Sequence, residues 1–189
     1  MNRSAEVLDA TTRDTVAVKP DVRRASLFGA LADQRLGAAY GLAYAILRDR
    51  TEAQDATHDA FVRAWNRWGS LREVDRFEAW FDRILVNVCR NRLRDRSRWH
   101  PRDISTEVRL ASGDEMGRTG DRDLLERSIG RLSPDHQVVV ALRFYRDLPI
   151  AEIARRAGVP VGTVHSRLHY ALKRLRADLI EADAAGGDR

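Results

Sequence analysis

The chain has one cysteine, Cys89, in 189 residues. That excludes an internal disulfide and a cysteine-built zinc cluster, and leaves Cys89 as a small apolar side chain on a helix. Lysine is almost as scarce: only Lys19 and Lys173 occur, so 31 of the 33 basic residues are arginine. No stretch approaches the roughly 20 apolar residues of a membrane span. Residues 1–25 hold Glu6, Asp9, Asp14 and Asp21 and no apolar run, unlike a secretory signal. Strand-like alternation, internal repeats, a phosphate-cradling glycine loop and a nucleophile motif are all missing. These absences point to a cytoplasmic protein without catalytic chemistry, cofactor, metal or small-molecule substrate.

What the chain does have is charge and helical periodicity. Charged residues make up 32%, the net charge is +5 and the pI is near 10.0, which favours an anionic partner. Residues 1–26 are polar and aperiodic and read as a flexible extension. From 27 to 98 apolar residues recur at three- and four-residue steps. Leu36, Ala39, Tyr40, Ala43, Ile46 and Leu47 mark a first helix. A second runs from about Glu52 to Trp68, with Thr51 as a plausible N-cap and Ala53, Ala56, Ala60, Phe61, Ala64, Trp65 and Trp68 as its stripe. A third runs from about Arg76 to Arg96 on Phe77, Trp80, Phe81, Ile84, Leu85, Val88 and Leu93.

Residues 99–121, rich in Gly, Ser, Pro and mixed charge, read as a linker. A second helical block spans 122–181, followed by a flexible tail at 182–189. A short helix covers Asp123 to Leu132. Ser133-Pro134 then pairs an N-cap with a proline at the first helical position, starting a helix to about Asp147. The expected fold is all-α: two small helical domains joined by a flexible linker.

The stretch VPVGTVHSRLHYALKRLR (159–176) carries four positive side chains and no acid. Helical geometry gathers Val164, Leu168, Ala171, Leu172, Leu175 and Leu179 into a packing stripe. His165, Ser166, Arg167, His169, Tyr170, Lys173, Arg174 and Arg176 fall outside it. Before this stretch lies PIAEIARRAG, a short helix ending at Gly158, where a left-handed residue lets the chain turn. A short helix, a tight turn and a basic helix make a helix-turn-helix, whose second helix enters the DNA major groove. His165, Ser166, Arg167 and His169 occupy the half that meets base edges, while Lys173, Arg174 and Arg176 suit phosphates. His165 and His169 stand four apart, but no third ligand is near, so a metal is not expected. A merely solvated basic face is the plain alternative, and the absence of acids weighs against it. A second arginine-rich run, NVCRNRLRDRSR, ends the third helix. Two basic surfaces on two domains suggest two sites along one DNA.

Three segments carry a resemblance: DATHDAFVRAW (55–65), DRFEAWFDRILVNVCRNRLRD (75–95) and LSPDHQVVVALRFYRDLPIAEIARRAGVPVGTVHSRLHYALKRLR (132–176). They resemble regions 2 and 4 of an extracytoplasmic-function RNA polymerase sigma factor, over residues 27–98 and 122–180. The resemblance implies a subunit that binds core RNA polymerase at the largest-subunit clamp and at the flap. It implies promoter DNA as ligand and an anti-sigma factor as regulator. Asp55, Asp59, Arg63 and Trp65 would face the clamp. Trp68, Leu71 and Arg72, with the loop from Gly69 to Asp75, would sit at the base flipped from the melted −10 element. Asn87, Arg90, Asn91 and Arg94 would face the −10 region. Thr163, His165, Ser166, Arg167, His169, Tyr170, Lys173 and Arg174 would read the −35 element. The chain departs from the family's usual residues at His58-Asp59 and at His165. The alternative is a stand-alone helix-turn-helix regulator that uses residues 27–98 for sensing or dimerisation.

Overall fold

The structure, a computed structural model, describes residues 20–99 and 120–186. The expected linker, most of the N-terminal extension and the end of the tail lie outside them. Among the described residues every regular element is helical. Helix α1 spans Pro20–Leu47, α2 Arg50–Asn66 and α3 Phe77–Trp99, with 3₁₀ turns at Trp68–Ser70 and Val74–Arg76 before α3. Then come α4 (Gly120–Gly130), α5 (Pro134–Val140), a π-helical turn (Ala141–Tyr145), α6 (Ile150–Ala157) and α7 (Val161–Gly186). No described helix is long and apolar enough to cross a membrane.

Three boundaries differ from expectation, each for a local reason. Helix α1 starts at Pro20, inside the segment expected as a flexible extension. Proline suits a first helical position, and Phe28 anchors the early turns edge-on against Trp65, Trp68 and Phe77 at 5.3, 5.2 and 6.1 Å. Helix α2 is capped by Asp49, not Thr51: the Asp49 carboxylate accepts from the Glu52 N–H at 2.8 Å. The helix starting at Ser133-Pro134 loses α geometry after Val140, and its π turn ends at Tyr145. A π turn inserts one residue and so rotates the helix beyond it. Here it lays Tyr145 against α1 so closely that a Cβ on Gly41 would overlap the Tyr145 hydroxyl.

Helices α1, α2 and α3 pack on one another as a first bundle. Alanines line its inside (Ala39, Ala43, Ala53, Ala56, Ala60, Ala64), letting the helices approach closely around Leu42, Ile46, Phe81 and Leu85. An aromatic cluster fills the end near the 3₁₀ turns, with Phe61 against Phe81 at 4.4 Å and Phe77 against Phe81 at 5.7 Å. In the second block α7 packs on α4, α5 and α6. Ser133 accepts from the His136 N–H at 3.4 Å, and buried Gln137 donates to the Leu132 and Gly130 carbonyls at 2.8 and 3.2 Å.

The two blocks do not stand apart. Helix α3 packs on α5 and α6, and α1 on the π turn. The seam is ionic. Asp82 of α3, buried, receives Arg146 at 2.9 Å and also Arg156, itself buried. Arg156 Nε donates to Glu152 at 3.0 Å, and both arginines reach Glu78 at 3.2 Å. Burial opposes the charge on Glu78, but the hydrogen bond from Arg156 and the charges of Arg35, Arg146 and Arg156 outweigh it and hold its carboxyl below the usual range. Asp82 stands one turn beyond half-buried Glu78, and its guanidinium partners make its burial tolerable. Burial also pushes the Cys89 thiol up to about 12, which makes it inert rather than reactive.

Candidate nucleic-acid interface

Helix α6 ends at Gly158, which takes left-handed geometry with φ 68°. The Gly158 and Val159 N–H groups both return to the Ala154 carbonyl, the latter at 3.1 Å, closing the turn. Buried Ile153, Ala154 and Ala157 fix α6 against buried Val164, Leu168, Ala171 and Leu175 of α7. This is a helix-turn-helix whose second helix presents an outer face. Gly158→Val should cost about 1–2 kcal/mol, because a branched Cβ is disfavoured in left-handed backbone. Gly158→Asn should cost less; equal losses by thermal melting would show that the turn does not need this geometry.

The structure brings most of the expected reader residues together. His165, Ser166, His169, Tyr170, Lys173 and Arg174 are exposed, and Thr163 is half-buried at the helix start. The Ser166 hydroxyl donates to the Thr163 carbonyl at 3.0 Å, while the His169 and Tyr170 rings meet edge-on at 5.5 Å. Among the described residues no group of three or more metal-ligating side chains gathers around the two histidines or elsewhere. Two expectations fail on α7. Leu172 is not part of the packing stripe but 46% exposed. Arg167, expected in the half that meets base edges, is half-buried, and its guanidinium donates to Asp135 of α5 at 3.0 Å.

The surface on α3 is less open than its sequence suggests. Asn87, Asn91 and Arg94 are exposed, but Arg90 is half-buried in the seam. Arg90 donates to the Ala157 carbonyl in the helix-turn-helix turn at 3.0 Å and to Asn87 Oδ1 at 3.1 Å. Its Nε lies 2.9 Å from Asp135 Oδ1, a contact of charges rather than a hydrogen bond, since that N–H has no acceptor in line. Arg94 reaches the same carboxylate at 3.3 Å. Burial is the main pull lowering the Arg90 pKa; Asp135 opposes it, and the like charges of Arg167 and Arg94 add to it. Near the expected base-capture loop, Arg72 is exposed and Leu71 half-buried. Trp68 is a correction: it is 8% exposed, edge-on to Phe28, Phe77 and Trp80, and serves the aromatic core instead of meeting a base.

On α2 the four expected polymerase contacts divide: Asp55 and Asp59 border α3, while Trp65 borders α1. Asp55 and Asp59 flank Arg92 of α3, at 3.9 and 2.6 Å. Burial works against the Arg92 charge, but the Asp59 hydrogen bond and the charges of Asp59, Asp55 and Glu52 raise its pKa. Arg63 is exposed, and Trp65, read from the sequence as part of the core stripe, is 41% exposed. One edge of its ring meets Phe28, and Arg24 lies over it at 5.9 Å. Residues the sequence reading passed over are Asp82, Asp135, Arg146 and Arg156. One signal was there to find: Asp82 sits beside Phe81 and between it and Ile84 of the core stripe, and an acid buried there demands a partner.

Residues 31–98 match the sigma-70 region 2 family and residues 128–177 the sigma-70 region 4 family. The chain is 30% identical over 161 residues to the ECF RNA polymerase sigma factor SigL of Mycobacterium tuberculosis, covering 83% of this chain and 91% of SigL. It is 30% identical to RNA polymerase sigma factor SigV of Bacillus subtilis, over 76% of this chain and 86% of SigV. Among solved structures, its fold is similar to that of the sigma factor RpoE bound to the anti-sigma factor NepR from Bartonella quintana. The TM-score is 0.61 at 24% identity, covering 82% of this chain and 98% of RpoE. With the region 2 and region 4 families matched in one chain, and a curated relative 30% identical over 91% of its own length, this chain belongs to the extracytoplasmic-function family of RNA polymerase sigma factors, which direct promoter-specific transcription initiation.

Proposed function

We propose that this chain binds core RNA polymerase through α2, with Asp55, Asp59, Arg63 and Trp65, and reads promoter DNA with two helices. The outer face of α7 reads the −35 element through Thr163, His165, Ser166, Arg167, His169, Tyr170, Lys173 and Arg174. Helix α3 and the loop before it meet the −10 element through Leu71, Arg72, Asn87, Arg90, Asn91 and Arg94, and help hold the melted strand. The observation that carries this reading is the exposed, acid-free first half of α7 behind the Gly158 turn, the geometry that fits a major groove. The chain works in the cytoplasm and performs no chemistry; polymerisation belongs to the core enzyme. The solved RpoE structure of similar fold is a complex with the anti-sigma factor NepR, and a partner of that kind fits this chain too.

Run-off transcription with purified core polymerase tests this reading. New start sites sharing two spaced upstream elements support it. Binding of the chain alone to duplex DNA, with no new starts, would instead favour a stand-alone regulator. Asp59→Arg should lower core affinity at least about tenfold, since it reverses charge on the docking side and repels Arg92. Unchanged affinity in a pull-down titration would remove Asp59 from that side.

A further inference from the structure

Two asparagines, Asn87 and Asn91, stand one turn apart on α3, and both are exposed. An asparagine amide carries an acceptor oxygen at one end and two N–H donors at the other. Which end meets a base decides what the residue can recognise. With both ends available it pairs with adenine, donating to N7 and accepting from the N6 amino group.

Asn87 does not have both ends available. Arg90 Nη1 donates to Asn87 Oδ1 at 3.1 Å. A guanidinium has donors and no acceptor, so the amide can meet it only with its oxygen. The NH₂ end is left for a ligand, and among the described residues it has no acceptor of its own. The helix itself supplies this pairing. Helical side chains lean toward the N-terminus, so Arg90 lies over the turn that carries Asn87. Both partners belong to α3, and the bond needs no other segment of the chain. Asn91 has no such partner among the described residues and keeps both ends of its amide.

The bases divide on the same property. Guanine and thymine, the keto bases, present a carbonyl oxygen at the major-groove edge, O6 or O4. Adenine and cytosine present an amino group there. An amide that can only donate is satisfied by the first pair, whereas the second sets N–H against N–H. Guanine, with N7 beside O6, can take both N–H groups.

We propose that Arg90 makes Asn87 a donor-only reader, so that the base Asn87 meets in the −10 element is a keto base, guanine or thymine. Arg90 is a positioning residue in this role, because it acts on the base through Asn87. The proposal rests on the assignment of Asn87 to the −10 element.

The test is run-off transcription by core polymerase with the full chain, on barcoded templates randomised across the −10 element. Sequenced transcripts report which templates were used. One position should divide guanine and thymine from adenine and cytosine by about tenfold, within what a good pair of base contacts discriminates. Asn87→Asp keeps an oxygen for Arg90 and puts a second oxygen where the NH₂ stood, so the division at that position should reverse. Arg90→Ala frees the amide to turn and should flatten the division. Arg90→Lys still donates and should retain it. Unaltered preferences with Asn87→Asp take Asn87 off the base and overturn the proposal. So does a position that Asn87 controls but that separates A·T from G·C pairs instead. Reversal by Asn87→Asp with the division intact in Arg90→Ala overturns the role of Arg90, as does equal flattening by Arg90→Lys and Arg90→Ala. If Asn87→Asp supports no run-off, Asn87→Ala decides: a flattened division supports the reading, and a retained one removes it. Absence of run-off from the unaltered chain removes the promoter assignment itself, a failure distinct from all of these.

Discussion

Truncating Phe81 to alanine should remove about 3–5 kcal/mol of stability, the range for deleting a buried aromatic ring. Phe81 is 1% exposed and contacts the Phe61 and Phe77 rings, which belong to α2 and α3. Its loss opens a cavity at the centre of the first bundle. The surrounding helices cannot close on it, because their facing positions are already alanines at close approach. Urea unfolding followed by tryptophan fluorescence measures the cost directly, since Trp68 and Trp80 belong to the same cluster. Cys89, also at the heart of this bundle, should become thiol-reactive at lower urea in the variant. A loss below about 1 kcal/mol would show that the ring is replaceable packing and that the bundle is held elsewhere.

The second large effect concerns Arg167. If it reads the −35 element, Arg167→Ala should cut −35-dependent run-off roughly tenfold, within the roughly 1–3 kcal/mol that a good base contact supplies. Core affinity should stay unchanged. Arg167 also donates to Asp135 of α5, so the substitution removes a contact within the chain as well. The two effects separate in a double-mutant cycle. In an Asp135→Asn background that contact is already weakened, so a roughly tenfold loss that persists there belongs to DNA and not to the contact with Asp135. No loss in that background, or equal losses of core binding and run-off, would take Arg167 off the promoter-reading face.

The helices, and the turn between α6 and α7, were legible in the chain alone because each is written in local chemistry. The helical spacing of Ala43, Ile46, Phe81 and Leu85, the Ser133-Pro134 start and the glycine at 158 need only their neighbours in the chain to act. The outer face of α7 was legible for the same reason: a helix converts spacing into direction, so acid-free spacing becomes an acid-free face. Which of those charges are available was settled by packing between distant segments. Trp65 and Trp68 lie three residues apart on one stripe, yet one is 41% exposed and the other 8%, because Phe77 and Trp80 close over Trp68 alone. Arg90, Arg94 and Arg167 look alike in sequence to any solvated arginine. Their shared partner Asp135 lies between 32 and 45 residues away along the chain, and reads there as an ordinary acid in the first turn of a helix. Electrostatic pairing depends on distance through space, which no local pattern encodes. The same holds for Asp82, whose burial is tolerable only where Arg146 and Arg156 arrive from the other block.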